Sequence, residues 1–349
     1  MRLAKISPGR TPPAAVAGAI LTRDLTVAGL RLSKGSRLAP EHLAVIGEAP
    51  LNGSVTVLIP DPWEVHEDEA ALRLAAAVAG PRSCLGARGP DRSRVDLVAT
   101  VPGVVDIRVR ALERLNAIDP LEVFTVFDGQ SVEPGDLVAS VKIAPHLVAE
   151  AVLLAGETIA RRGGPLVRVR PFRSLCVGVV VKGEVAPAAR ARFERAIAAK
   201  VAGLRCRLAT VAYVRDADGP VGDALAALLE PGPDRADLVL TAGGASTDPS
   251  DVFFTAIGRL GGRLVRRGVP AHPGSMLWLA ELDGTPVVGL PSCGAYSMAT
   301  AADLLLPRLV AGQPANAATV ARLAHGGILN RSQRFRFPAY ARELDAPEG

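Results

Sequence analysis

Long apolar runs, each closed by a glycine or proline turn, organise the second half of this 349-residue chain. Leu175-Cys-Val-Gly-Val-Val-Val carries no polar residue, the pattern of a strand buried on both faces of a parallel sheet. A helix is predicted over 187–201, a strand near 206–213 and a helix over 219–229. The run Ala236-Asp-Leu-Val-Leu-Thr then breaks into Gly243-Gly244-Ala245-Ser246-Thr247-Asp248-Pro249-Ser250-Asp251, from which a further helix starts. A strand over 262–267, another at Pro286-Val-Val-Gly-Leu and a helix to Val310 complete the series. Alternation at this spacing predicts an α/β fold: a doubly wound, mostly parallel sheet with helices on both faces.

The first half reads differently. Short strand-like pieces at Ala19-Ile-Leu-Thr and Val55-Thr-Val-Leu-Ile flank a helix opened by Pro40. A clearer helix begins at His66, with acids in its first turn and Gly80-Pro81 to stop it. Consecutive helical positions diverge around the axis, so His66 and the acids after it read as a capped, solvated turn and not a metal cluster. Strands and turns alternate from 95 to 145, including the Pro134-Gly-Asp turn. The expected organisation is therefore an N-terminal accessory α+β region over 1–165, in one or two lobes. Arg161-Arg-Gly-Gly-Pro serves as its hinge, the α/β domain covers 166–312, and an Arg-rich, solvated arm covers 313–349.

Composition narrows the function classes. Hydrophobic residues make up 49% and aromatics 4%, so the cores are built from Ala, Val and Leu. A net charge of +5 without a recognition motif does not indicate nucleic-acid binding. The four cysteines, Cys84, Cys176, Cys206 and Cys293, are scattered, which argues against a disulfide framework or a zinc site. There is no secretory h-region and no apolar run of membrane-spanning length, so a cytoplasmic, soluble protein without membrane or nucleic-acid partners is expected.

The candidate chemistry lies where two apolar strands end in turns of glycines and hydroxyls: at Gly243 and at Pro291-Ser292-Cys293-Gly294. In an open parallel sheet, ligands bind in the crevice at the strands' carboxyl ends. Glycines admit the backbone to a ligand, and helix N-terminal amides attract an anion. A phosphorylated small molecule is the expected ligand. Asp248 and Asp251 carry two readings, as holders of a divalent ion and as caps of the following helix. Lys182 reads either as a phosphate contact or as an exposed lysine, His272 as a ligand or phosphate contact or as an ordinary loop histidine, and Cys293 as a soft-metal contact or a buried filler.

These residues carry a resemblance. Thr241-Ala-Gly-Gly-Ala-Ser followed by Asp251, then Gly284-Thr-Pro-Val-Val-Gly-Leu-Pro and an apolar helix, resembles the molybdopterin-binding domain of molybdenum-cofactor biosynthesis, over about 170–312. That domain occurs in molybdopterin molybdenumtransferases, molybdopterin adenylyltransferases and gephyrin. Gly18-Ala-Ile-Leu-Thr-Arg-Asp-Leu-Thr, Lys34-Gly-Ser-Arg-Leu and His66-Glu-Asp-Glu-Ala-Ala are similar to stand-alone bacterial molybdopterin-binding proteins. The resemblance implies a molybdopterin ligand, adenylated or not, held by Gly243, Gly244, Ser246, Thr247, Lys182, Gly289, Pro291, Ser292 and Cys293. It implies Asp251 and Asp248 as catalytic residues and, with Glu184, as ligands of magnesium for molybdate insertion. A homo-oligomer is implied as well.

The chain departs from the family pattern in three places. Gly-Asn-Pro is replaced by Ser292-Cys293-Gly294, the turn after the first strand is the short Val181-Lys182-Gly183-Glu184-Val185, and His272-Pro273-Gly274-Ser275-Met276 lacks the family's lysines. Two functions therefore stand side by side. One is a transferase that inserts molybdate into adenylated molybdopterin. The other is a non-catalytic carrier or chaperone that delivers cofactor to a molybdenum hydroxylase or exchanges it with another biosynthetic protein. A remote third, a serine hydrolase using Ser292 with Asp303 and His325, lacks the first glycine of a nucleophile elbow.

Overall fold

A computed structural model describes residues 1–7, 16–48, 53–290 and 298–342. The chain forms two compact units that interleave in sequence. The first takes Met1–Thr100, Ile107–Val126 and Pro134–Arg168; the second takes Val101–Asp106, Phe127–Glu133 and the chain from Val169 onward. The expected cut near 165 thus falls close to the last crossover but misses two earlier segments.

In the first unit, Val55–Ile59 is the central strand of an antiparallel sheet between Arg2–Ile6 and Ile20–Leu21. Ile6, Leu21, Leu38, Ile46 and Val57 form its core. A four-stranded antiparallel sheet follows, in the order Leu121–Thr125, Leu137–Ile143, Arg94–Ala99, Leu85–Asp91. The helix Glu67–Ala79 packs on it beside the helix Glu150–Arg161. His66 does cap that helix, but only part of the turn is solvated: His66 and Glu67 are buried, Asp68 is half-buried and Glu69 is exposed. His66 Nδ1 accepts from the Asp68 amide at 3.2 Å, which leaves Nε2 to donate to the Gly35 carbonyl at 2.8 Å, and Glu67 meets His146 Nδ1 at 2.6 Å.

The second unit holds the expected α/β domain: β1 (Cys176–Lys182), α1 (Pro187–Gly203), β2 (Arg207–Val214), α2 (Asp218–Leu229), β3 (Leu238–Ala242), α3 (Val252–Arg259), β4 (Arg263–Arg267), β5 (Trp278–Leu282), β6 (Thr285–Gly289) and α4 (Ala302–Val310). The sheet order is β2-β1-β3-β6-β5-β4; β2, β1, β3 and β6 run parallel, while β5 and β4 add an antiparallel edge. Every residue of β1 is buried, as its unbroken apolar run requires. Val177, Val179 and Val181 face the core with Phe193 and Ile197 of α1 and Leu305 of α4, whereas Val180 faces Val221 of α2 and Phe253 of α3. The period-two alternation of a strand therefore assigns one helix pair to each face.

β5 was not expected from the sequence. It pairs with β6 through Asp283-Gly284, both at positive φ (49° and 71°), the geometry of a two-residue type I′ hairpin. Farther along, the arm is packed and not solvated. Val320, Leu323, Leu329 and Phe337 join the domain core, and Arg336 is buried with its guanidinium on the Gly326 carbonyl. Arg308, 2% exposed, donates to the carbonyl and carboxylate of Asp128 at 3.0 and 3.1 Å and to Gln313 at 3.2 Å. Among the described residues no helix is long and apolar enough to cross a membrane.

Candidate functional site

The chain leaves β1 to one side, toward β2, and then returns to the other side of β1 to lay down β3. This is the topological switch point of a doubly wound sheet, the place where such folds bind ligands, and the open cleft next to it lies at the ends of β1 and β2. Lys182 ends β1 and Gly243 follows β3. Gly243 has a φ of 89°, and a Cβ there would lie 2.4 Å from the Lys182 carbonyl, so only glycine lets the two strand ends come this close.

Asp251 caps α3. Its Oδ1 accepts from the Phe253 amide at 2.9 Å, and its Oδ2 accepts from the Ala245 amide at 2.6 Å. Lys182 Nζ lies 2.9 Å from that same Oδ2 and 2.9 Å from Asp216 Oδ1. The ammonium also sits 5.5 Å from the centre of the Phe253 ring. Lys182 and Asp251 are buried, with side chains 5% and 2% exposed, whereas Asp216 is 55% exposed. Burial is the largest influence on the lysine and pulls its pKa down. The hydrogen bonds and charges of Asp251 and Asp216 together outweigh it, and the pKa ends above its ordinary value. Lys182 is therefore a charged, doubly paired ammonium, and the reading of it as an exposed lysine does not hold.

Beside it a cleft of about 390 Å³ is lined by Gly183, Glu184, Tyr213, Val214, Arg215 and Asp216. The other sequence-derived residues are distributed as follows. Gly244, Thr247 and Asp248 are exposed on the turn and Ser246 is half-buried. Asp248 bends back on Ser250, taking its hydroxyl at 2.6 Å and its amide at 2.8 Å. These bonds hold the Asp248 carboxyl below its usual pKa. Gly289 lies in the sheet opposite Trp278, and the indole fills the space a Cβ would take, so this glycine accommodates an aromatic ring. Pro291, Ser292 and Cys293 lie outside the described residues.

The three carboxylates expected to hold magnesium do not converge. Both oxygens of Asp251 are engaged by amides and an ammonium, and Asp248 is turned onto Ser250. Among the described residues no group of three His, Cys, Asp or Glu side chains could hold a metal ion. The donor set does not fit a divalent cation. The hydrolase arrangement fails too. Asp303 is fully buried in an ion pair with Lys200 and accepts from Tyr340 at 3.0 Å and from the Thr300 amide at 2.9 Å, while His325 is exposed. Asp216 was missed from the sequence, although Arg215-Asp216-Ala-Asp218 directly follows an apolar run, where a parallel strand delivers side chains to the crevice.

Residues 179–311, from within β1 to the end of α4, match the model of a family described as a probable molybdopterin binding domain. The α/β domain belongs to that family. Among curated proteins none matches the chain. Among solved structures, the molybdopterin biosynthesis MoeA protein from Pyrococcus horikosii aligns at 14% identity over 74% of this chain and 75% of that one, with a TM-score of 0.30. Molybdenum cofactor biosynthesis protein B aligns at 15% identity over 40% of this chain and 88% of that one, with a TM-score of 0.27. Likenesses of this degree carry no argument about function. Both glycine turns of the sequence fall inside the matched residues.

Proposed function

We propose that this protein binds molybdopterin at the switch-point crevice and serves molybdenum-cofactor biosynthesis as a carrier, without inserting molybdate. The family of residues 179–311 supports the pterin as ligand. The observation that carries the choice of carrier over transferase is the engagement of Asp251: two amides and a buried ammonium take three of its roughly four acceptor sites, and the ammonium's charge repels a cation. The Gly243–Gly244 turn and the amides beyond Ala245, whose own N–H is held by Asp251, would face the ligand's anionic end. The pterin supplies the dithiolene chemistry when bound; the chain's own residues hold and orient it.

The test is a titration of the full chain with molybdopterin and with its adenylate, each with and without magnesium and molybdate, followed by assays for AMP and bound molybdenum. A carrier binds pterin and releases no AMP under any of these conditions. AMP release that depends on molybdate would make the protein an insertion enzyme, and absence of pterin binding would remove the function altogether.

A further inference from the structure

Two carboxylates share the Lys182 ammonium, and they differ in freedom. Asp251 is buried and fixed by the first turn of α3, and its pair with Lys182 is shielded from solvent. Asp216 approaches from the loop after β2, is mostly in solvent, and lines the open cleft. An ion pair with a solvated partner is weak, so this half of the arrangement exchanges at little cost.

We propose that Lys182 takes the place of a divalent cation at the switch point, and that Asp216 occupies on it the position an anionic group of the ligand takes on binding. The assignment rests on the reading above that the ligand enters at this edge. It goes further in naming what holds the ligand's charge and what must move aside.

The charges support it. Lys182 and Asp251 together are neutral, and Asp216 makes the group singly negative. An arriving phosphate-type anion meets repulsion from Asp216 until that side chain swings out, after which an ammonium donor is available to it. A divalent cation meets the opposite problem, because reaching Asp251 means approaching a buried ammonium that lies 2.9 Å from the oxygen it seeks. Arg215 and Glu184 line the same cleft with opposite charges, so the ammonium of Lys182 is what decides the attraction for an anion.

The experiment measures inorganic phosphate binding to the full chain by equilibrium dialysis in EDTA, and Mn2+ binding by electron paramagnetic resonance. Three chains are compared: the unaltered protein, Asp216→Asn and Lys182→Met. The unaltered protein should bind phosphate in EDTA and bind no Mn2+. Asp216→Asn, a change on an exposed side chain, should tighten phosphate binding about tenfold. Lys182→Met should lose phosphate binding, with Asp251 still held by the Ala245 and Phe253 amides. Phosphate binding that needs Mn2+ overturns the proposal, as does Mn2+ binding to the unaltered protein that Asp216→Asn abolishes. Asp216→Asn leaving phosphate binding unchanged, weaker or undetectable also overturns it, and this arm decides the matter even where Lys182→Met does not fold.

Molybdopterin titrated in the same buffers separates the two readings. Loss of pterin binding with the phosphate pattern intact removes only the proposed function. Pterin binding that requires magnesium removes only the role given to Lys182.

Discussion

A lysine ammonium buried beside an aspartate is stable only as long as both charges remain. Removing one partner of a buried pair strands the other, at a cost of about 3–5 kcal/mol. Lys182→Met is therefore expected to destabilise the fold by about 3 kcal/mol at neutral pH, as read by urea denaturation. The effect has a defined pH dependence. Because the folded pKa of Lys182 lies above its ordinary 10.5, the pair's contribution is complete below pH 10.5. It is lost as pH rises through the folded value. The unaltered protein should thus converge on the variant in strongly alkaline urea titrations. A gap between the two that persists undiminished there would mean the loss comes from packing and not from charge.

At the scale of elements, α3 and the turn before it are tied by one side chain. Asp251 both caps the helix and gathers the Ala245 amide into the crevice. Asp251→Asn retains an oxygen for the Phe253 amide, whereas Asp251→Ala removes the cap, worth about 1 kcal/mol. The alanine variant should therefore melt below the asparagine variant, and equal melting temperatures would mean that the asparagine NH2, a donor set against the Ala245 amide and the Lys182 ammonium, cancels the cap it keeps. The cap itself was legible in the sequence, since an Asp before Val252-Phe-Phe is a standard helix start. The parallel strands were legible too, from runs such as Cys176–Lys182. What Asp251 pairs with was not. The Lys182 contact depends on β1 and β3 lying side by side with Val181 opposite Ala242, a register no local pattern encodes. The β5 strand is hard to read because Trp278–Leu282 carries no β-branched residue, although the Asp283-Gly284 dipeptide after it is a hairpin signal in its own right. Gly289 was read as a ligand contact because a motif does not reveal that an indole from the next strand lies across it.

At the scale of the whole molecule, the α/β domain is not one continuous piece of chain. Ser131 and Val132 pair with Val104 and Gly103, and Asp128 holds the buried Arg308. The sequence-based boundary near 165 went wrong here for a physical reason. Composition changes where α/β alternation begins, whereas the partner of a buried charge can come from anywhere. Asp128→Ala leaves Arg308 buried without its carboxylate and should cost about 3 kcal/mol. Urea denaturation checks this, and a loss under about 1 kcal/mol would mean that water or Gln313 takes over the guanidinium.

That dependence also has a direction in time. A ribosome presents Asp128 long before Arg308, which lies 180 residues later in the chain. At a synthesis rate of about 5–20 residues per second, the wait is roughly 10–40 s. Until then the segment around Gly129 has no arginine to close upon, while the interleaved first unit is already complete. The nascent chain thus carries the 127–133 segment of its second unit without its arginine through about half of its own translation, and a slow or stalled ribosome would prolong the interval in which that segment must be kept from the wrong partner.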